Sequence, residues 1–253
     1  LGDVYKRQVE EIVARAEKYS GPDVKKELSA IESEGAVTSR VPAGHAEKFA
    51  RINLAFRDFA EENGYQSLAI SCWSRLQEIY GIAPCAAMSR LNEEGILSPC
   101  EGDVAGAINM IITRAFCKSA PAIMDLVAFD TEAGSLNLWH CGPAPKSMAD
   151  KNGVRWDEHF NIGTYDGCEW CGSGAVADLR FKPGQVTVSR LSSRFDQIFA
   201  FTGDVLDQAA YEGSSGWIGN LAIRGESLSI AELISTIVNN RVDHHYTCLL
   251  YTS

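Results

Sequence analysis

The order of apolar segments between residues 46 and 117 constrains the fold most. The stretch AEKFARINLAFRDFAEEN has apolar residues at helical spacing and is followed by Gly64, which predicts an amphipathic helix that ends there. SLAISCW (67–73) and ILSPC (96–100) have the length and composition of short buried strands, and 103–117 that of a second long helix. Helices that alternate with strands in this way favour an α/β unit with a parallel sheet.

After Ser119 the pattern becomes rich in strands. PAIMDLVAFDTEAGSLNLWHCG predicts two strands joined by the turn TEAG, and GQVTVSRLS and QIFAFTGDVLD predict two more. SLSIAELISTIVNN predicts a late helix, with Ser229 as its N-cap and Glu232 three residues further on. We therefore place a domain boundary near 118–121.

Charge and hydropathy exclude several classes of protein. The chain has 253 residues and a formal net charge of -10, whereas a nucleic-acid or anionic-membrane surface needs a basic patch. No apolar run is long enough for a transmembrane helix, and no secretory leader is visible. Eight cysteines are scattered through apolar segments, which is typical of free thiols in a reducing cytoplasm. Cys168 and Cys171 form one CxxC without a second pair, so a plain loop is favoured over a redox or metal role.

The two ends differ in character from the rest. LGDVYKRQ (1–8) and CLLYTS (248–253) resemble translated sequencing-adapter read-through. We expect them to be non-native tails, with native sequence from about Val9 to about Thr247 and further sequence missing upstream.

Two carboxylates stand where a purely structural role is not the obvious one. Glu101, in PCEGD, lies at the end of a predicted strand, where open α/β sheets bind ligands. Asp103, two residues later, fits the N-cap of the following helix, and capping is the alternative for Glu101 as well. Asp125 lies inside the apolar strand PAIMDLVAF, so it must be paired with a cation such as Arg, hydrogen-bonded or bound to a metal.

Histidines and one tryptophan complete the candidate site. His140 ends the strand SLNLWH, and His244 and His245 are adjacent, so that on an extended strand only one of them would face a given site. Trp217, in GSSGWIG (213–219), is a candidate for a sugar-stacking residue on a site loop, with a core position as the alternative. Carboxylates mixed with imidazoles suit Mn²⁺, with Mg²⁺, Co²⁺ or Zn²⁺ as rivals.

These segments together resemble a known family. CEGDVAGAINMIITRAF, DLVAFD (125–130), LWHCGPAP (138–145) and DHHY (243–246) are similar to the L-fucose isomerase / L-arabinose isomerase superfamily, in particular to its fucose isomerase-like branch. SCWSRLQEIYG and PGQVTVSRLS extend the resemblance, which covers most of 45–247.

The resemblance implies a fold and a metal site. Residues 9–118 would be a Rossmann-like second domain and 119–247 a β-rich C-terminal domain, with the site in the cleft between them. The first domain of the family would be absent, and the full-length parent would be a homo-oligomer. Glu101, Asp125 and His245 would hold Mn²⁺, alternatively Mg²⁺ or Co²⁺, and His140 would be a further ligand in the arabinose branch. His244 would contact the substrate.

The activity implied is that of a metal-dependent aldose–ketose isomerase, in which a proton moves between C1 and C2 of an open-chain sugar through a cis-enediol. A divalent ion would polarise the sugar oxygens, and Glu101 or Asp125 would transfer the proton. The alternatives are a related enzyme that acts on a modified sugar and a non-catalytic sugar-binding module.

Overall fold

The computed structural model describes residues 2–117, 119–159 and 174–251. The first part of the chain is helical. The helices are α1 (Gly2–Lys18), α2 (Gly21–Glu34), α3 (His45–Asn63), α4 (Gln77–Tyr80), α5 (Cys85–Glu94) and α6 (Val104–Phe116), with a π-helical turn at Cys72–Leu76. Helix α3 ends at Gly64 in the left-handed conformation, which confirms the predicted stop.

Buried ion pairs join the first helices to one another. Glu27 on α2 accepts hydrogen bonds from Asn53 (2.7 Å) and Arg57 (3.2 Å) on α3 and pairs with Arg90 on α5. Burial raises the pKa of Glu27, but the hydrogen bonds and charges of Arg57 and Arg90 outweigh it, and the net direction is downward. The ionised carboxylate is therefore part of the fold.

Residues 119–251 form the strands β1 (Ala122–Asp130), β2 (Ser135–His140), β3 (Arg155–Glu158), β4 (Ala175–Arg180), β5 (Gln185–Leu191), β6 (Ile198–Val205), β7 (Ser214–Ile223), β8 (Glu226–Ser227) and β9 (His245–Leu250), with a 3-10 turn at Lys146–Met148 and helix α7 (Ile230–Asn240). Six of them close a barrel in the order β1-β2-β7-β6-β5-β9, and each neighbouring pair, including β9 with β1, is antiparallel. Strands β3 and β4 extend from β7, and β8 pairs with its end.

The predicted α/β fold, a Rossmann-like parallel-sheet domain followed by a β-rich domain, is wrong. The segments proposed as parallel strands meet only through the bridge of Ser67 with Leu97 and a few neighbouring hydrogen bonds, such as Leu68 N–H to the carbonyl of Leu97 (2.9 Å). The first segment then winds into the π-helical turn, and Pro99 in the second has no N–H to donate. The large sheet of the described chain is instead the closed antiparallel barrel.

Helix α6 lies against the barrel next to β9 and β5. Asn109 donates to the backbone carbonyl of Ser189 (3.0 Å) and to the hydroxyl of Thr247 (2.8 Å). The N-terminus of α6, which carries the PCEGD turn, is thereby brought to the beginning of β9. This contact positions the candidate site.

Some sequence predictions fall within these elements. GSSGWIG forms most of β7 rather than a site loop. Residues 248–250, proposed as foreign, form the second half of β9 and are buried; their origin stays a prediction. The six cysteines of the described ranges are free thiols, as expected, whereas Cys168 and Cys171 lie outside those ranges. A search of the described helices for a membrane-spanning segment of 18 or more residues finds no candidate.

Candidate active site

The PCEGD turn presents Glu101 at the surface between two anchored ends. The N–H of Gly102 donates to the carbonyl of Ile70 (3.1 Å), and the N–H of Asp103 donates to that of Cys100 (3.1 Å). Glu101 itself has a positive φ of 57°, a conformation that costs a non-glycine residue about 1 kcal/mol or more. Its side chain is 49% exposed, so the strain does not serve to bury it.

Asp103 combines two structural roles. It is the N-cap of α6, as predicted, and accepts a hydrogen bond from the N–H of Gly106 (2.8 Å). Its carboxylate also pairs with Arg190 of β5 and accepts from Nδ1 of His245 (3.2 Å). Burial by itself would raise the pKa of Asp103, but the hydrogen bonds from His245, Arg190 and Gly106 outweigh it and hold the pKa well below its ordinary value. The carboxylate is therefore ionised.

His245 is the first residue of β9 and is buried. Because Asp103 accepts from Nδ1, the neutral imidazole carries its proton there and leaves Nε2 unprotonated. Sγ of Cys100 lies 3.7 Å from this Nε2. Nε2 lies 3.7 Å from Oε2 of Glu101. A carboxylate behind a histidine, with a second carboxylate in front of it, is a common arrangement at metal centres.

Asp125 lies on the neighbouring strand of the barrel. Its backbone is paired with His245 on one side and with Trp139 on the other, so its side chain shares a face with that of His245. Its Oδ1 is buried and has no hydrogen-bond partner among the described residues. The predicted structural partner, an arginine, is thus not seen at this oxygen within those residues. An orphaned buried carboxylate oxygen indicates a missing cation or ligand.

His140 also reaches this region, but its proton is on the other nitrogen. The backbone N–H of Cys141 donates to Nδ1 of His140 (2.8 Å), which places the proton of the neutral ring on Nε2. That N–H lies 2.8 Å from Sγ of Cys100. A hydrogen-bonded N–H cannot bind a cation, so this geometry favours a supporting role for His140 over a metal ligand.

His244 and Trp217 have different surroundings. His244 precedes β9 and is exposed, and its Nε2 lies 3.3 Å from Oε2 of Glu101, with its ring 4.1 Å from that of His245. The expectation that adjacent histidines face opposite ways is wrong here because His244 lies outside the strand. Trp217 lies on β7, opposite Asn137 of β2 and near Tyr211. None of its described contacts is to Glu101 or the histidines.

The structure thus brings Glu101, His244 and His245 together, with ligand atoms within 4.8 Å of one another, and places Asp125 on the adjacent strand. Sequence reasoning missed the second role of Asp103 and the part played by Arg190. The signal for Asp103 was its unusual spacing, two residues after another carboxylate. The sequence offers no comparable signal for Arg190, because its partner lies 87 positions away.

The chain is similar to sugar isomerases. It is 31% identical over 173 residues to the sulfoquinovose isomerases of Priestia aryabhattai and Priestia megaterium, which is 66% of this chain and 37% of each relative. It is 24% identical over 243 residues to that of Clostridium sp. (strain MSTE9), which is 96% of this chain and 52% of the relative. The chain therefore spans about a third to a half of these curated relatives. No family model matches it.

These similarities support the prediction of a sugar isomerase but not the prediction of its branch. The relatives are named for isomerisation of a sugar, in agreement with the predicted class of enzyme. They are not named for fucose or arabinose, so membership of the fucose isomerase-like branch stays a prediction.

Proposed function

We propose that this chain carries the catalytic centre of a metal-assisted aldose–ketose isomerase that acts on a modified sugar. The observation that carries the proposal is the position of His245 between two carboxylates. The largely buried Asp103 accepts from its Nδ1, and its unprotonated Nε2 faces the half-exposed Glu101. The names of the similar proteins support the modified sugar, since sulfoquinovose is a hexose that bears a sulfonate group.

The residues present fit a divalent cation. Glu101, Asp125 and His245 offer two carboxylates and one imidazole, a donor set that suits Mn²⁺, Mg²⁺ or Co²⁺. The orphaned Oδ1 of Asp125 supports this fit, since a cation would satisfy it. A bound ion would supply Lewis-acid polarisation of the sugar oxygens.

Glu101 is the residue that we assign to proton transfer. It is half exposed, whereas Asp125 is partly buried and its Oδ1 is fully buried, so a sugar in the open face of the site reaches Glu101 first. Its carboxylate would take the proton from C2 of the aldose while O1 gains a proton, which gives a cis-enediol. Return of the proton to C1, with loss of the proton on O2, gives the ketose.

His244 is suited to the exchange of protons on the sugar oxygens. It is 69% exposed, its Nε2 lies 3.3 Å from Oε2 of Glu101, and its imidazole has one nitrogen that can donate a hydrogen bond and one that can accept. His245 cannot do the same freely, because its Nδ1 is engaged by Asp103 and its ring is buried.

The acidic group of a sulfonated sugar needs a cation. Arg190 lies next to the site, but it is already engaged by Asp103 and Asp243. We therefore expect the sulfonate to be bound by another part of the protein. This makes substrate choice separable from the chemistry at Glu101.

The test is an isomerase assay with Mn²⁺ or with EDTA. This chain, and the full-length protein that contains it, would each be incubated with sulfoquinovose, glucose, L-fucose or L-arabinose. The ketose formed would be quantified by NMR. We expect turnover of the sulfonated sugar that requires Mn²⁺ and is lost in Glu101→Gln. Binding of a sugar without conversion in any of these proteins would favour the sugar-binding module instead.

A further inference from the structure

A second cluster of metal-ligating side chains lies apart from Glu101. Cys85, Cys141 and His159 are all buried, and their Sγ and imidazole nitrogen atoms lie within 4.8 Å of one another. None of the three is a proposed metal ligand or proton-transfer group of the candidate active site, although the backbone N–H of Cys141 donates to His140. We propose that they form a structural zinc site of the Cys₂His type, a role that does not depend on the proposed isomerase function.

The geometry of the two thiols matches a shared metal better than a disulfide. Their sulfur atoms are 3.5 Å apart. Two thiolates on a tetrahedral Zn²⁺, each at about 2.3 Å, are separated by about 3.8 Å. A disulfide would require about 2.05 Å. A shift of a few tenths of an ångström therefore suffices for zinc, whereas a disulfide would need a much larger one.

Each ligand is held by a different element. Cys85 is the first residue of α5, Cys141 follows the last residue of β2, and His159 follows the last residue of β3. A metal at this point would tie the helical part of the chain to the barrel and to the antiparallel pair of β3 and β4. Structural zinc sites contribute to the stability of the fold in this way.

The backbone around the cluster is tightly fixed. The N–H of His159 donates to the carbonyl of Gly174 (3.3 Å), and Gly174 is bridged to Ala83, two residues before Cys85. Gly174 has a φ of 72°, and a Cβ there would lie 2.7 Å from the carbonyl oxygen of Ala83. This close approach brings the β3 end and the α5 start together before any ligand is bound.

Apolar side chains pack against the two cysteines of this cluster. Ala83 and Val176 pack with the two cysteines, and Trp139 packs against the same cluster. An apolar shell around thiolate and imidazole ligands excludes water and strengthens metal binding. Soft thiolates also separate this site from the carboxylate-rich one, because they favour zinc over Mn²⁺ or Mg²⁺.

Binding requires both thiols to lose their protons, so one Zn²⁺ releases two protons and leaves a bis-thiolate imidazole complex. Three protein ligands leave the fourth tetrahedral position to water or to a further side chain. The proposal concerns the three described ligands.

X-ray absorption at the zinc edge tests the proposal on the unmodified chain purified with Zn²⁺ under reducing conditions. We expect about one tightly held Zn²⁺ per chain, with two sulfur atoms and at least one imidazole around it. Coordination by oxygen and nitrogen alone, or by four sulfurs, would overturn it.

Cobalt substitution then identifies the ligands. The sulfur-to-cobalt charge-transfer band should fall by half or more in Cys85→Ser and in Cys141→Ser, be lost in the double variant Cys85→Ser/Cys141→Ser, and stay at full intensity in the matched buried variant Cys248→Ser. It should also be kept in Glu101→Gln, which separates this site from the isomerase centre. Loss of the band in a Cys168→Ser/Cys171→Ser double variant, with the band kept in Cys85→Ser, would assign the metal elsewhere and refute the proposal.

Discussion

Nδ1 of His245 lies 3.2 Å from Oδ2 of Asp103, although 142 residues separate them in the chain. The same carboxylate caps α6 and pairs with Arg190 of β5. One aspartate therefore fixes the tautomer of the histidine, the N-terminus of a helix and a strand of the barrel. The orientation of the unprotonated Nε2 of His245 depends on all three contacts.

The first prediction concerns Asp103. Asp103→Asn removes the negative charge that stabilises the proton on Nδ1 of His245. We therefore expect the affinity for Mn²⁺ to fall about 10- to 100-fold. The matched control is Asp243→Asn, which also removes a carboxylate from Arg190 but touches neither histidine through that contact. Its affinity should stay within about fivefold of the wild type, as for a partly exposed ion pair. Equal losses in the two variants would refute the special role of Asp103.

The second prediction concerns the strain at Glu101. Glycine adopts a positive φ without cost, so Glu101→Gly should raise the free energy of unfolding of the metal-free protein by up to about 1 kcal/mol while it removes the metal site. Arg224→Gly, at a φ of 54° in the β7–β8 turn, is the backbone control and should gain stability without loss of Mn²⁺ affinity. Denaturant unfolding in EDTA measures both. A destabilised Glu101→Gly would show that the residue has a structural role.

The third prediction concerns Asp125. Because its buried Oδ1 has no described partner, Asp125→Asn should leave the metal-free protein equally stable or more stable, by about 1 kcal/mol. Mn²⁺ should raise the unfolding temperature of the wild type but not of this variant, since only the native state binds the ion. A large loss of stability in EDTA would indicate instead that Asp125 has a structural ion-pair partner.

The fourth prediction compares the two buried histidines. His245→Gln removes the imidazole whose Nε2 carries no proton and faces Glu101, and we expect Mn²⁺ binding to be lost. His140→Gln should keep most of the affinity, because the Nε2 of His140 carries a proton directed at Cys100. Titration of both variants with Mn²⁺ checks this. Comparable losses would make His140 a ligand, as in the arabinose branch.

The fifth prediction concerns acid unfolding. The pKa of Glu27 is lowered in the folded state, so its contribution to stability is fully present above the unfolded value of about 4.3 and is lost as the pH falls through the folded value. Glu27→Gln should cost about 3 kcal/mol near neutral pH, because it leaves a buried arginine without one of its partners, and clearly less below pH 4. Glu47→Gln, which breaks an exposed pair with Arg51, should cost less than about 1 kcal/mol at any pH.

Local signals predicted individual elements well. The helix that ends at Gly64, the cap at Asp103 and the capping box of Ser229 with Glu232 are all confirmed. Each depends on residues within one or two turns of a helix, where spacing and side-chain chemistry determine the outcome. The turn TEAG between β1 and β2 is confirmed for the same reason.

Contacts between residues far apart in the sequence could not be predicted from such local signals. Two short apolar segments near residues 67 and 97 have the composition of parallel strands, but only the remaining chain decides whether a sheet forms around them, and here it does not. The barrel is closed by β9, which pairs with β1 across more than a hundred residues. The pairing of Asp103 with His245 follows from that closure, which is why Asp103 was recognised only as a cap.

The most direct test of the central claim is Mn²⁺ binding measured by electron paramagnetic resonance, in which the signal of free Mn²⁺ decreases as the ion is bound. We predict one tight site in the wild type and in Asp243→Asn, and its loss in both Glu101→Gln and Asp125→Asn. Retention of tight Mn²⁺ binding in both of the latter variants would contradict the proposed centre.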